Sequence, residues 1–238
     1  MSLPARPTPA QPPGPPWRRD LAVTLLAMAA VLAWDFSDLD LALTRLWGTP
    51  GGFPWREHVL TATVLHEGGR WLAGLALAAL AWDAWRPRWP GPTRAQRAAT
   101  LAFVVATMVL VPLQKRISLT SCPWSLREFG GVAEYVSHWL PGVADGGPGG
   151  CFPSGHAVAA FGFFALYFLW RGHRPALARA VLAAVLTLGA LFAWAQLARG
   201  AHYLSHSLWS AWLCWALAAL GFRCVPLFSR SQAVSPQA

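Results

Sequence analysis

The chain has 238 residues, 55% of them hydrophobic and 12% charged, with fifteen tryptophans and a formal charge of +9. A water-soluble domain carries about 25% charged residues, so the composition excludes an ordinary soluble domain and indicates one built into a bilayer. There is no basic stripe interleaved with aromatics and no glycine-rich nucleotide loop, so neither nucleic acid nor a nucleotide cofactor is expected.

Residues 1–20, "MSLPARPTPAQPPGPPWRRD", are proline-rich without a core-forming pattern and predict a disordered tail. They lack the small-residue cleavage site of a secretory signal. Six apolar segments follow, at residues 17–36, 59–82, 98–113, 157–170, 180–197 and 204–222. The expectation is an all-α, integral-membrane six-helix bundle over residues 21–223, with residues 224–238 as a second tail. Several segments fall short of the ~20 residues of a full span, and flanking Trp and Arg supply the missing length at the interface. Arginines precede the first segment (Arg6, Arg18, Arg19), lie between the second and third (Arg86, Arg88, Arg94, Arg97) and between the fourth and fifth (Arg171, Arg174, Arg179), and follow the sixth (Arg223, Arg230). The positive-inside rule then puts both termini in the cytoplasm and connections 37–58, 114–156 and 198–203 on the other side. The Arg- and Ala-rich composition points to a bacterial inner membrane with these connections facing the periplasm.

The second segment carries "LHEGGR", from Leu65 to Arg70. A helical zinc pair needs a second histidine four residues after the first, and that place is Arg70. Glu67 and Arg70 are expected instead as an ion pair at membrane depth and as candidate headgroup contacts, together with Arg127 of the long connection.

That long connection holds "QKRISLTSCPWSLREFGG" and ends in "CFPSGHA". Lys115 is the one lysine of the chain, against eighteen arginines. Cys122 and Cys151 lie 29 positions apart in the same connection. Outside the cytoplasm they either form a disulfide, which would stabilise by ~3–4 kcal/mol through loop closure, or remain two free thiols. None of the four cysteines has metal-ligand spacing, and no metal is expected. Ser154, Gly155 and His156 run directly into an apolar segment. Ser154 stands where a helix N-cap should be, and the free N–H groups of a helix start also suit an anion, beside which His156 can move a proton. The last connection reads "QLARGAHYLSHSLW". Arg199, His202 and His206, spaced i, i+3 and i+7, would share one helix face, with His206 placed to bond the His202 ring and fix its tautomer.

These residues resemble the type 2 phosphatidic acid phosphatase superfamily. Its pattern is a Lys with Arg-Pro seven residues on, a Pro-Ser-Gly-His, and an Arg followed by His six residues later and Asp four after that. Pro153, Ser154, Gly155 and His156 match the second part fully. Residues 200–206, "GAHYLSH", look like the family's Gly-x-His-Tyr-x-Ser-Asp, with His206 in place of the acid. Gln196 stands where the family has Arg, and Arg199 is three residues away. Lys115 keeps its place, whereas Cys122 occupies the Arg position before Pro123, leaving Arg116 or Arg127 to substitute.

The resemblance implies a membrane phosphatase acting on a lipid phosphate: undecaprenyl diphosphate, phosphatidylglycerol phosphate, phosphatidic acid or a lipid A phosphate. It makes His202 the nucleophile and His156 the acid–base group. Lys115, Arg116, Arg199 and the backbone of Ser154 and Gly155 would hold the phosphate, without metal or cofactor. A lipid phosphotransferase, a non-catalytic lipid-phosphate binder or translocator, and a register with His206 as nucleophile are the alternatives.

Overall fold

The structure is a computed structural model that describes residues 16–229, and every regular element among them is a helix. The expected tail residues 1–15 and 230–238 lie outside the described residues. Helix α1 (Pro16–Asp35) is followed by α2 (Leu39–Arg45), bent away by 65°. The bend sits at Asp38, whose φ of 58° is in the left-handed region. A π-helical stretch, Leu60–Glu67, runs into α3 (Gly68–Trp85). Then come α4 (Arg94–Leu113), the short α5 (Val158–Phe161) and α6 (Phe164–Trp170), α7 (Pro175–Ala198), α8 (Leu204–Cys224) and α9 (Pro226–Ser229).

Each apolar segment of the sequence becomes helix, with shifted ends. Proline is tolerated at a helix start, where its missing N–H costs nothing, so α1 begins at Pro16 and takes Pro16 to Asp20 out of the expected tail. At the other terminus Phe228 is buried and stacks on Phe222 at 4.0 Å, so the packed unit extends past residue 223. The segment at 157–170 breaks at Gly162 and Phe163. The Phe163 N–H reaches back three residues to the Ala160 carbonyl, which tightens the turn and separates α5 from α6.

Two helical stretches, Arg94–Ile117 and Pro175–Ala198, are long and apolar enough to cross a membrane, and α1 with α2 passes the same test as a bent pair. Large apolar side chains stand exposed on the helices: Leu26 at 71%, Leu75 at 68% and Trp71 at 76%. Such surface suits hydrocarbon and not water, and the chain is a multi-pass membrane protein. The core lies between α3, α4, α5, α6, α7 and α8, around Val104, Phe161, Phe164, Phe168, Val185 and Phe222. Gly189 lets α5 approach α7 closely, because a Cβ there would fall 2.0 Å from the Phe161 ring.

The bundle has two chemically different ends. At the arginine end, Arg171 donates to Asp20 at 2.6 Å. Arg97, almost fully buried, pairs with Asp83 and donates to the carbonyls of Pro92 at 3.0 Å and Trp89 at 2.6 Å. A Thr93–Gln96 capping box starts α4. A cavity of about 570 Å³ opens here, lined by Arg19, Asp20, Tyr167, Phe168, Arg171 and Arg179 among others.

At the histidine end the long connection packs over a second small core of Phe53, Leu126, Phe129, Ala133 and Tyr203. Cys122 and Cys151 form a disulfide, with S–S 2.08 Å. Cys214 and Cys224 are free. Buried Asp145 accepts from the Ser121 N–H, the Ser121 hydroxyl at 2.8 Å and the Gly147 N–H at 3.0 Å. The Trp124 N–H donates to the Gly200 carbonyl at 2.9 Å, tying the connection to the α7–α8 turn.

Candidate active site

Helix α7 stops because Gly200 adopts φ 68°, and a Cβ there would fall 2.4 Å from the Phe53 ring. The Ala201 and His202 N–H groups both return to the Gln196 carbonyl, at 2.8 and 3.3 Å. Tyr203 is extended, and α8 begins after it. Arg199, His202 and His206 therefore do not share one helix face, contrary to the spacing argument: Arg199 ends α7, His202 lies in the turn and His206 is on α8. The turn itself brings the two histidines together, with Nδ1 of His202 3.4 Å from Nδ1 of His206. Between two imidazole nitrogens one must donate and the other accept. The disulfide sulfur of Cys151 lies 3.5 Å from the same His202 nitrogen. The Cys151 backbone also hydrogen-bonds the His202 ring, and no side chain among the described residues bonds His202 Nε2. Asp40, reaching over from α2, accepts from the Ser205 N–H at 3.0 Å and caps the start of α8.

The Pro-Ser-Gly-His motif is docked on α8. The Ser154 N–H donates to the His206 carbonyl at 3.1 Å, and the Ser210 hydroxyl donates to the Ser154 carbonyl at 2.8 Å. This overturns two expectations for Ser154. It does not cap a helix, because α5 begins only at Val158 and has no side-chain cap. Its N–H is already committed, so it is not free for an anion. Its hydroxyl is buried without a partner, as are those of Tyr203, Ser205 and Ser207. The N–H groups of Gly155 and His156 have no partner among the described residues. A buried hydroxyl without a partner and the free N–H groups that follow it in the chain are what a bound anion or water satisfies.

His156 Nε2 lies 3.2 Å from the Leu65 carbonyl in the π-helical stretch. A carbonyl only accepts, so the proton is on Nε2 and Nδ1 is the open nitrogen. The ring meets His66 at 4.5 Å and Phe192 at 4.9 Å. Burial, with the neighbouring His66, brings the His156 pKa down to about 4, so it is a neutral imidazole at pH 7. His202 is held well below 6.5 by burial first, then by the charges of Lys115, His206 and His156. These are the groups that the sequence motifs single out, and all of them converge on His202.

Lys115 lies in the 3-10 turn that follows α4, and its stem crosses the motif: its Cδ is 3.7 Å from a Cβ built on Gly155. Arg199 donates from Nε to the Arg56 carbonyl at 2.9 Å, and its charge bears on His156. The other cations stand apart. Arg116 is exposed and makes no hydrogen bond or ion pair among the described residues. Arg127 is 70% exposed and pairs with Glu134 at 3.1 Å. Glu67 and Arg70 are both exposed and do not form the expected ion pair, although the Arg70 charge reaches His156. Cys122, Cys151 and His202 bring their donor atoms within 4.8 Å of one another, but the sulfurs are bonded to each other and offer no thiolate to a metal.

Sequence reasoning missed a buried acid behind His206. Asp35 Oδ2 accepts from His138 Nε2 at 3.1 Å, Trp139 Nε1 at 2.8 Å and Trp209 Nε1 at 2.7 Å. The His138 ring stacks on Phe152 at 4.1 Å and meets His206 edge to face at 5.6 Å. The available signal was Asp35 itself, an ionisable residue inside an apolar segment.

Two buried histidines in contact, a third nearby and a lysine over a loop of free N–H groups thus gather at this end of the bundle. Residues 95–230 match the PAP2 superfamily, more than half of the chain, and the chain belongs to that family. Its members are phosphatases acting on phosphate esters, often those of lipids, which gives the chain hydrolase chemistry in general terms. No curated protein and no solved structure matches the chain.

Proposed function

We propose that the chain is a metal-independent lipid phosphatase working through a phosphohistidine at His202, in a six-span bundle of a bacterial inner membrane with its site on the periplasmic side. The observation that carries this reading is the setting of the His202 ring: its Nδ1 faces His206, and the charges of Lys115 and His156 bear on the ring. In the first step His202 Nε2 attacks phosphorus and the bond to the lipid oxygen breaks. Lys115, Arg199 and the N–H groups of Gly155 and His156 hold the equatorial oxygens. The anionic substrate raises the affinity of His156 for a proton, which then passes to the leaving oxygen. In the second step His156 takes a proton from water, hydroxide displaces the histidine from phosphorus, and inorganic phosphate leaves. Burial of His202 supports nucleophilic chemistry, because it keeps the imidazole neutral with a lone pair available.

The test is phosphate release by detergent-purified protein in EDTA from undecaprenyl diphosphate and from phosphatidic acid, wild type beside His202→Ala. Release by wild type with at least about a hundredfold loss in the variant is the expected result. Release that survives in His202→Ala moves the nucleophile to His206. No release from either lipid favours the binding-only reading, which the replacement of the family acid by His206 already suggests.

A further inference from the structure

The reaction proposed above leaves one charge unaccounted for. When His202 Nε2 bonds to phosphorus with a proton on Nδ1, the ring becomes cationic. A carboxylate against Nδ1 would compensate it. Here Nδ1 faces His206, an imidazole that carries no negative charge, in a site that already holds Lys115 and Arg199. No carboxylate touches His202 among the described residues. The nearby acids Asp40 and Asp145 are engaged elsewhere, on Ser205 and on Ser121.

Asp35 differs from these two. Its Oδ2 accepts three N–H bonds, from one imidazole and two indoles, which is the pattern of an ionised carboxylate. Its side chain is 4% exposed, so its field is poorly screened. Since the carboxylate only accepts, a proton of His138 sits on Nε2, and the negative charge of the pair is the Asp35 carboxylate. Two contacts carry that charge to His206, the neighbour of the nucleophile. His138 meets the His206 ring edge to face at 5.6 Å, and Phe152 packs on both rings, at 4.1 and 5.2 Å. Trp209, one turn beyond His206 on α8, donates to Asp35 and fixes the distance between them.

Resting on the phosphohistidine reading, we propose that Asp35, acting through His138, supplies the negative charge that position 206 lacks, so that both are positioning residues for the His202 nucleophile. The acid has moved from the neighbour of the nucleophile to the end of α1, outside the residues that match the family. The row His202, His206, His138, Asp35 then does the work of a histidine–carboxylate pair.

A merely structural Asp35, tying α1 to α8, would make the same hydrogen bonds, so the test must separate charge from tether. The probe is orthovanadate, which takes the trigonal-bipyramidal geometry of a transferring phosphoryl group, titrated into detergent-purified full-length protein by calorimetry in EDTA. The variants are Asp35→Asn, His206→Asp, the double variant and His202→Ala, each checked by thermal melting. Asp35→Asn is expected to weaken vanadate binding about tenfold in wild type. With His206→Asp present the charge is restored locally, and the same substitution should change binding by less than about twofold. An equal loss in both backgrounds, or no loss in wild type, overturns the proposal and makes Asp35 a tether. If Asp35→Asn melts too low to titrate, His138→Gln serves in its place, with the same loss expected in wild type and none in His206→Asp. Failure of the underlying reading looks different: wild type would bind no vanadate, or His202→Ala would bind it as tightly as wild type.

Discussion

The two ends of the bundle handle buried polar groups in opposite ways. At the arginine end each buried charge meets its opposite: Asp20 with Arg171, and Asp83 with Arg97, whose remaining donors are taken by loop carbonyls. At the histidine end His202 and His206 are buried against each other, and four hydroxyls are sealed without partners. Satisfied charges hold helices in place, whereas a neutral imidazole beside free N–H groups is suited to an incoming phosphate. A cavity of about 570 Å³ opens at the arginine end, away from the histidines. The arrangement of donors is the better guide.

If the contrast is right, substitutions at the two ends should fall on different measurements. The largest effect is expected for His202→Ala, at least about a hundredfold in phosphate release, because the nucleophile is removed. Lys115→Ala should follow, with about 10- to 100-fold lost in kcat/KM, since one cation is taken from the developing phosphoryl charge. Arg97→Gln should do the reverse: a destabilisation of about 3–5 kcal/mol in denaturant or thermal melts, from stranding Asp83, with kcat/KM of the folded fraction unchanged. Equal damage to kcat/KM from Arg97→Gln and from Lys115→Ala would break the contrast.

A change of about 3–4 kcal/mol is expected for Cys122→Ser with Cys151→Ser, because the disulfide closes the connection between Lys115 and the Pro-Ser-Gly-His motif. This pair should lower both stability and activity, since one sulfur lies against the His202 ring. The smallest effect is in pH. Unfolded His156 takes a proton near 6.5, but folded His156 takes one only near 4. Between those values the unfolded state binds more protons, so stability falls as pH drops through the window and levels off below it. His156→Asn should flatten the melting temperature against pH there, and His202, shifted in the same direction, should account for part of the slope that remains.

The chemistry of the site was legible in the sequence where it is written locally. The Pro-Ser-Gly-His run, the two histidines four residues apart, the single lysine and the cysteine pair are each short patterns, and the structure draws His156, His202, His206 and Lys115 around one point. What local pattern could not give is how the segments dock. Ser154 reads as a helix cap, yet its N–H is taken by the His206 carbonyl, a contact across 52 positions. The helical face drawn through Arg199, His202 and His206 fails because Gly200 ends the helix between them. The Leu65 carbonyl meets His156 within a π-helical stretch that the apolar pattern does not distinguish from an α-helix. Asp35 meets His138 across 103 positions, and no spacing rule joins a residue in the first helix to one in the long connection.

The most direct test of the account is to catch the covalent intermediate. Protein would be mixed with undecaprenyl diphosphate labelled with ³²P on its terminal phosphate, quenched in alkali after milliseconds to seconds, and mapped by peptide mass spectrometry. The expected result is an acid-labile, alkali-stable phosphoryl group on His202, absent from His202→Ala. Label on His206, or phosphate release with no labelled histidine, would contradict it.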